Sequence, residues 1–190
     1  NQIIFQKNVN VLGLTNPFLD LAYQDRKVYL STRSGELREY RYNLSDRLLH
    51  SGSENRLVEK IIPTSEEIII NESIGNSSSS FKLLKALFVN SGALKSSANL
   101  NIKPLGVNNA RTSEKRLIVS DSSNFYTYFY RPDNGNLNRV YVKSNYSFDD
   151  AISISDYEFI LINESQIATF NSQTNFFRIV KSGANNAVAA

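Results

Sequence analysis

One seven-residue stretch of the chain occurs twice in almost the same form. Residues 67 to 73 read Glu67-Ile68-Ile69-Ile70-Asn71-Glu72-Ser73, and residues 159 to 165 read Phe159-Ile160-Leu161-Ile162-Asn163-Glu164-Ser165. Each copy begins with β-branched or aromatic residues, which are typical of a strand, and ends in polar residues, which are typical of a turn. The tetrapeptide Ile-Asn-Glu-Ser is identical in both. The sequence therefore contains an internal repeat, and each copy includes a strand that we expect to be buried on both faces.

Two further segments follow the same plan: Lys27-Val28-Tyr29-Leu30-Ser31-Thr32 and Arg116-Leu117-Ile118-Val119-Ser120-Asp121-Ser122. When the four copies are aligned on Leu30, Ile70, Val119 and Ile162, the intervals between them are 40, 49 and 43 residues. An apolar stretch and a polar turn precede each copy, and two more strand-like segments follow it. A repeat of roughly 40–50 residues with four strands is typical of a β-propeller blade.

The repeat resembles the degenerate β-propellers of the WD40-like superfamily. The resemblance lies in the architecture and not in motifs, because the chain has one His and no Trp and therefore lacks the Gly-His and Trp-Asp signatures. It implies an all-β, propeller-like fold of about four blades of four antiparallel strands, either complete or as part of a larger propeller. A β-sandwich is the main alternative, since its strands recur at a similar spacing. No functional residue can be transferred on this resemblance.

The expected organisation is a single propeller-like domain, or a partial propeller, over residues 1–190. Its blades are predicted at approximately 15–52, 56–100, 103–143 and 147–182. A spare strand-like segment, Ile3 to Val9, precedes the first blade. It reads either as the outer strand of a missing blade or as a strand that closes the ring onto the last blade.

Residues suited to catalysis are few. The chain contains no Cys and one His, His50, which reads as a surface or strand-end residue. The adjacent carboxylates Glu66-Glu67 and Asp149-Asp150 read as solvated turn residues, because neighbours on a strand point to opposite faces. The segment Asp133-Asn134-Gly135-Asn136 reads as a hairpin turn and not as a calcium loop, which would need a later glutamate. We therefore predict no catalytic residue, no metal site and no cofactor.

Charge is distributed unevenly along the chain, whose net charge is +3. Residues 82 to 143 include ten Lys or Arg against three acidic residues, whereas residues 144 to 190 include two against five. The basic section also contains the aromatic run from Phe125 to Tyr130. Basic residues among aromatics can bind phosphates and stack on bases, or they can dock an acidic protein. The predicted partner-binding residues are Lys103, Arg111, Lys115, Arg116, Arg131, Arg139 and Lys143.

The favoured function is a non-catalytic interaction scaffold that docks protein partners in a larger assembly. One alternative is a nucleic-acid-binding module that uses the basic section. Another is a secreted or surface carbohydrate-binding propeller or a propeller enzyme, with Asn71, Glu72, Asn163 and Glu164 at a channel mouth. No membrane span is expected, because the longest apolar runs are strand-sized. An intracellular location, in cytoplasm or nucleus, is favoured over secretion, and the sequence identifies no small-molecule ligand.

Overall fold

The fold was analysed in a computed structural model, which describes residues 18–41, 45–52, 55–75, 81–108 and 114–182. These residues form sixteen strands, and no helix occurs among them. Accordingly, nothing in these ranges could cross a membrane as a helix. The predicted spare strand from Ile3 to Val9 and the predicted binding residue Arg111 lie outside the described residues.

The sixteen strands follow one another at short intervals. In chain order they are β1 (Phe18–Gln24), β2 (Lys27–Thr32), β3 (Glu36–Arg41), β4 (Asp46–Ser51), β5 (Arg56–Pro63), β6 (Glu67–Ile74), β7 (Phe81–Phe88), β8 (Leu94–Asn99), β9 (Lys103–Val107), β10 (Lys115–Ser120), β11 (Asn124–Arg131), β12 (Asn136–Ser144), β13 (Asp150–Ser153), β14 (Glu158–Ile162), β15 (Gln166–Asn171) and β16 (Phe176–Ser182).

The strands form four sheets of four, and in every sheet consecutive strands are neighbours. We call these sheets blade 1 (β1 to β4), blade 2 (β5 to β8), blade 3 (β9 to β12) and blade 4 (β13 to β16). The strand pairs are antiparallel. The predicted all-β, propeller-type fold with four blades of four strands is therefore confirmed, and the β-sandwich alternative was wrong. The chain divides into two compact units, Asn1–Leu94 (unit 1) and Lys95–Ala190 (unit 2), with the division at the start of β8.

The core of unit 1 is aliphatic and centres on the repeat strand β6. Ile68, Ile69 and Ile70 are all fully buried, so this strand has no solvent-facing side, as its continuous apolar sequence predicts. Val58 and Ile61 of β5 pack with them, together with residues of blade 1 such as Leu37. Fully burying one such aliphatic side chain contributes about 1.5–3 kcal/mol, so this cluster holds blades 1 and 2 together.

The core of unit 2 is largely aromatic and lies between blades 3 and 4. Phe125 of β11, Phe159 of β14 and Phe170 of β15 are fully buried there with Leu161. The repeat strand of blade 4 departs from the expectation of burial on both faces. Its residues alternate, with Phe159 and Leu161 buried and Ile160 half-buried, because only one face of β14 packs in the core.

A β-bulge interrupts the outer strand of blades 1, 3 and 4 at corresponding positions. The register shifts leave one outer-strand residue without a partner in each case: Leu49 in β4, Val140 in β12 and Val180 in β16. Leu49 is buried, whereas Val140 and Val180 are 39% and 59% exposed. The bulge therefore points into the core in unit 1 and toward solvent in unit 2.

Candidate partner-binding surface

Six of the seven predicted binding residues lie in the described part of the chain, and all six belong to blade 3 or the turns that border it. Lys103 pairs with Ser120, Ser120 pairs with Phe125, and Phe125 pairs with Lys143. Lys103 and Lys143 are thus the two ends of one cross-strand row. Because neighbouring strands lie about 4.8 Å apart, roughly 14 Å separates the two positions.

The other predicted cations of β10 and β11 lie toward the opposite end of the blade. Lys115 is only 1% exposed, so the blade encloses it, and its neighbour Arg116 projects from the other face of β10. Arg131 is exposed and forms an ion pair of 3.1 Å with Glu114. The predicted residues therefore do not form one cluster, and the cations that remain exposed or half-buried without an ion pair to a described carboxylate include Lys103 of β9 and both cations of β12.

Three of these cations lie over aromatic rings. The guanidinium carbon of Arg116 lies 3.4 Å from the ring centre of Phe129, and that of Arg139 lies 5.8 Å from the ring centre of Tyr126. The ammonium of Lys143 lies 5.6 Å from the ring centre of Tyr146 and 5.4 Å from that of Phe177. Such contacts are worth about 0.5–1 kcal/mol at exposed sites, and they orient a cation without cancelling its charge.

Phe125, the first ring of the aromatic run in β11, belongs to the core and does not form a binding platform. Phe125 is fully buried and contacts the rings of Tyr141, Phe148, Phe170 and Phe177 at centroid distances between 5.3 and 5.9 Å. Edge-to-face and offset arrangements of this kind stabilise a core beyond simple burial. Phe125 therefore has no free ring face on which a base could stack, and the nucleic-acid alternative gains no support from it.

The outer strand β12 combines exposed positive charge with exposed apolar surface. Arg139 is exposed, and Val140 and Val142 are 39% and 41% exposed. No Asp or Glu occurs in β12, and neither Arg139 nor Lys143 forms an ion pair within the described ranges. As the last strand of its sheet, β12 also has one backbone edge that no other described strand pairs with.

The outer strand β16 of blade 4 has the same character, which the sequence prediction missed. Arg178 and Lys181 are exposed, and so are Phe176 and Val180, at 61% and 59%. A signal was available in the sequence, since the acidic section 144–190 has only two cations and both occur in this one strand. The net negative charge of residues 144–190 gives no sign of these two cations.

In unit 1, basic side chains contact buried carboxylates, and Glu72 is the first example. This carboxylate is fully buried, and it accepts from His50 at 2.7 Å and pairs with Lys85 at 2.5 Å. Burial raises the pKa of Glu72, but the hydrogen bonds from His50 and Lys85 outweigh burial and lower the pKa to about 2. Glu72 is therefore ionised at neutral pH and is unsuited to act as a general acid, as the enzyme alternative would require.

The two copies of Ile-Asn-Glu-Ser occupy different surroundings. Asn71 and Glu72 are fully buried, whereas Asn163 is half-buried and Glu164 is exposed. The Asn163 side chain caps the following turn, since its Oδ1 accepts from the Gln166 amide at 2.7 Å. The two pairs therefore differ in their access to solvent, and Asn71 and Glu72 have none.

A second buried carboxylate of unit 1, Glu39, binds three cations. Its oxygens lie 2.9 Å from Arg41, 3.0 Å from Arg47 and 3.5 Å from Lys27. Burial raises the pKa of Glu39, and the hydrogen bond from Arg41 with the nearby charges lowers it below its usual value. Arg47 also donates to the Val89 carbonyl at 2.9 Å, so this network links blade 1 to blade 2.

Two of the four remaining acidic candidates behave as solvated turn residues and two do not. Asp150 is half-buried at the start of β13, where it pairs with Ile162. Glu66 and Asp149 are exposed, as predicted. Glu67 is only 2% exposed, so its assignment to a solvated turn was wrong; its carboxylate accepts from the Thr64 hydroxyl at 3.2 Å. The Asn134-Gly135 turn is a hairpin as predicted, with the Gly135 amide donating to the Arg131 carbonyl at 2.8 Å and φ of 75° at the glycine.

Comparison with known proteins gives a likeness in fold alone. No protein-family model matches the sequence, and no match to a curated protein was found. Among solved structures, BamB from Moraxella catarrhalis aligns with a TM-score of 0.55 and 14% identity, over 89% of this chain and 54% of that chain. Sqt1 from Saccharomyces cerevisiae aligns with a TM-score of 0.52 and 12% identity, over 92% of this chain and 48% of that one.

At these identities the likeness shows the fold alone, and at that level the β-propeller resemblance expected from the repeat is confirmed. The chain spans about half the length of either protein. The computationally designed Ika4 protein matches 93% of its own length with a TM-score of 0.49 and 11% identity, which is too weak for an inference.

Proposed function

We propose that this chain is a non-catalytic protein-interaction module that docks an acidic partner through the outer strand of blade 3. The propeller-type fold supports such a role, because its blades expose strands and turns over a wide surface. The residues that we assign to the contact are Arg139, Val140, Val142 and Lys143. Of the seven residues predicted from the sequence, Arg139 and Lys143 thus become the central pair.

The observation that carries the proposal is that the two cations of β12 keep their charge without a carboxylate partner among the described residues. Arg139 and Lys143 lie over aromatic rings and form no ion pair within the described residues. A ring contact leaves the net charge in place, so the strand keeps a positive potential that attracts acidic surfaces. The rings also restrict the head groups, which lowers the entropy lost when a partner orders them.

The exposed valines favour a protein as the partner. Val140 and Val142 are each about 40% exposed between the two cations of β12. A protein interface typically combines a small apolar centre with a charged rim. A nucleic-acid backbone would instead require several more free cations on the same face, because its affinity comes mainly from phosphate contacts.

Selection from a displayed random-peptide library tests this proposal. Wild-type protein should enrich acidic peptides at low ionic strength, and the Arg139→Glu, Lys143→Glu variant should lose that enrichment by about tenfold or more, as loss of interfacial charge pairs predicts. The matched control is Arg33→Glu with Arg56→Glu, which changes the net charge equally at two exposed residues of unit 1. Equal enrichment by both double variants, or no acidic enrichment by wild type, would overturn the proposal.

A further inference from the structure

The outer strand of blade 4 has a charge pattern that its own blade does not account for. Residues 144 to 190 include five acidic residues and two cations, and both cations, Arg178 and Lys181, lie in β16. Neither cation forms an ion pair in the described part of the chain, although all five carboxylates belong to the same blade. The strand itself contains no acidic residue.

The register places these cations on one face of the strand. Arg178 pairs with Thr169, and Lys181 pairs with Ile167, two residues away on β15. Because the bulge at Val180 absorbs one residue, Lys181 returns to the face that carries Arg178 and Phe176. Phe177 and Ile179 lie on the other face and pack against the aromatic core. The exposed face therefore presents Phe176, Arg178 and Lys181 in a row.

The backbone of β16 is also open on one side. The sheet order β13-β14-β15-β16 makes it the last strand, and no other described strand pairs with its outer edge. Before the bulge, the pairing of Phe176 to Ile179 with β15 is regular. A regular edge of four residues offers alternating N–H and C=O groups to an extended chain.

We propose that β16 adds an extended acidic segment of a partner protein as a fifth strand of blade 4. This inference goes beyond the proposed function, because it assigns a second contact with an acidic chain on a different strand and a different blade. Acidic residues at alternate positions of the added strand lie opposite Arg178 and, beyond the bulge, Lys181.

The positive charge of β16 also disfavours pairing of its open edge with a second copy of the same strand. A second copy of β16 would bring Arg178 and Lys181 opposite the same two cations, and like charges across a strand pair are destabilising. An acidic strand removes that repulsion and gains two cross-strand charge pairs. The edge is therefore protected against self-association and selective for an acidic chain.

The experiment uses a defined probe, a capped seven-residue peptide of alternating valine and glutamate, with the intact chain. Titration followed by amide resonances should shift residues 176 to 182 and slow their hydrogen exchange. Replacing every glutamate with glutamine should weaken binding by about tenfold or more. Methylating alternate backbone nitrogens should abolish binding, because strand addition depends on main-chain hydrogen bonds.

Two charge variants separate this inference from the proposed function. Arg178→Glu with Lys181→Glu should weaken peptide binding by about tenfold or more, whereas Arg139→Glu with Lys143→Glu should leave it within about twofold. Loss only in the second variant would place the acidic partner on β12, so the inference would fail while the proposed function stood. Undiminished binding of the N-methylated peptide would show contact without strand addition and would also overturn the inference. No binding of the acidic peptide at all would overturn it as well.

Discussion

Units 1 and 2 are built from the same repeat but stabilise their polar groups in different ways. In unit 1, two fully buried carboxylates, Glu39 and Glu72, hold five basic side chains in ion pairs or hydrogen bonds. In unit 2, Arg116, Arg139 and Lys143 lie over the rings of Phe129, Tyr126 and Tyr146. The two buried carboxylates of unit 1 pair with these five side chains, whereas the three cations of unit 2 form ring contacts that leave their charge in place.

This difference indicates which unit is suited to contact a partner. A cation neutralised by a buried carboxylate contributes little field beyond its own blade, because the two charges cancel at a distance. A cation over a ring keeps its field and its exposure. The outer strands β12 and β16 of unit 2 each carry two cations that form no ion pair among the described residues, and the bulge residues Val140 and Val180 are exposed beside them. The two proposals both follow from this contrast.

The largest expected effect concerns the aromatic core of unit 2. Phe125→Ala should lower the free energy of unfolding by about 4 kcal/mol, because it leaves a cavity among four rings that Phe125 now contacts. Urea unfolding followed by tyrosine circular dichroism measures the loss, and amide exchange should locate it in residues 115 to 182. Phe176→Ala is the control, since a ring that is 61% exposed should matter by less than about 0.5 kcal/mol. Equal losses for both variants would refute an aromatic core.

The second prediction concerns the buried carboxylate of unit 1. Glu72→Ala should cost about 3 kcal/mol, because it leaves the Lys85 ammonium, whose side chain is 9% exposed, without its counter-charge. Glu164→Ala is the matched control, since the same residue of the same tetrapeptide is exposed in blade 4 and should change stability by less than about 0.5 kcal/mol.

The dependence on pH gives this prediction an independent readout. The pKa of Glu72 falls from 4.5 to about 2 on folding, so the unfolded chain takes up its proton first. The stabilising contribution is therefore complete above about pH 4.5 and disappears as the pH falls toward 2. Glu72→Ala should flatten the stability curve over that range, and Glu164→Ala should leave it unchanged. An unaltered acid dependence in Glu72→Ala would contradict the assignment.

The fold was predictable because it depends on the repeat, which is a periodic pattern of apolar strands and polar turns. The intervals between Leu30, Ile70, Val119 and Ile162 were sufficient to predict four blades, because each interval is about the length of one four-stranded blade. The buried strand β6 was equally clear from its run of isoleucines. Where a single face packs, as in β14, the same pattern overestimates burial.

The site was only partly predictable, because the position of a charged side chain in its blade decides whether it is exposed and whether a carboxylate pairs with it. Lys115 and Arg139 look alike in sequence, yet Lys115 is buried and Arg139 is exposed. Sequence spacing also cannot show that Glu39 pairs with Arg47, or that none of the described carboxylates forms an ion pair with Arg178. These outcomes depend on strand register, and a shift of one residue would move every side chain to the other face.

The smallest expected effect separates ion pairs from ring contacts by their response to salt. Arg38 forms half-exposed ion pairs of 3.0 Å with Glu36 and 2.6 Å with Asp46. Arg38→Gln should therefore cost about 0.5 kcal/mol at low ionic strength and almost nothing in 1 M sodium chloride, where exposed pairs are screened. Arg116→Gln should cost about 1 kcal/mol at both concentrations, because its contact with the Phe129 ring is partly buried and at 3.4 Å.

Paired urea titrations of the two variants and wild type, at 50 mM and 1 M salt, provide this measurement. Comparing each variant with wild type at the same salt removes the general effect of salt on stability. If Arg116→Gln recovered in 1 M salt as Arg38→Gln does, the Arg116 contact would be an ordinary screened charge interaction. The distinction between the two units would then fail for blade 3, and the argument that ring contacts hold the cations of β12 in place for a partner would lose its physical basis.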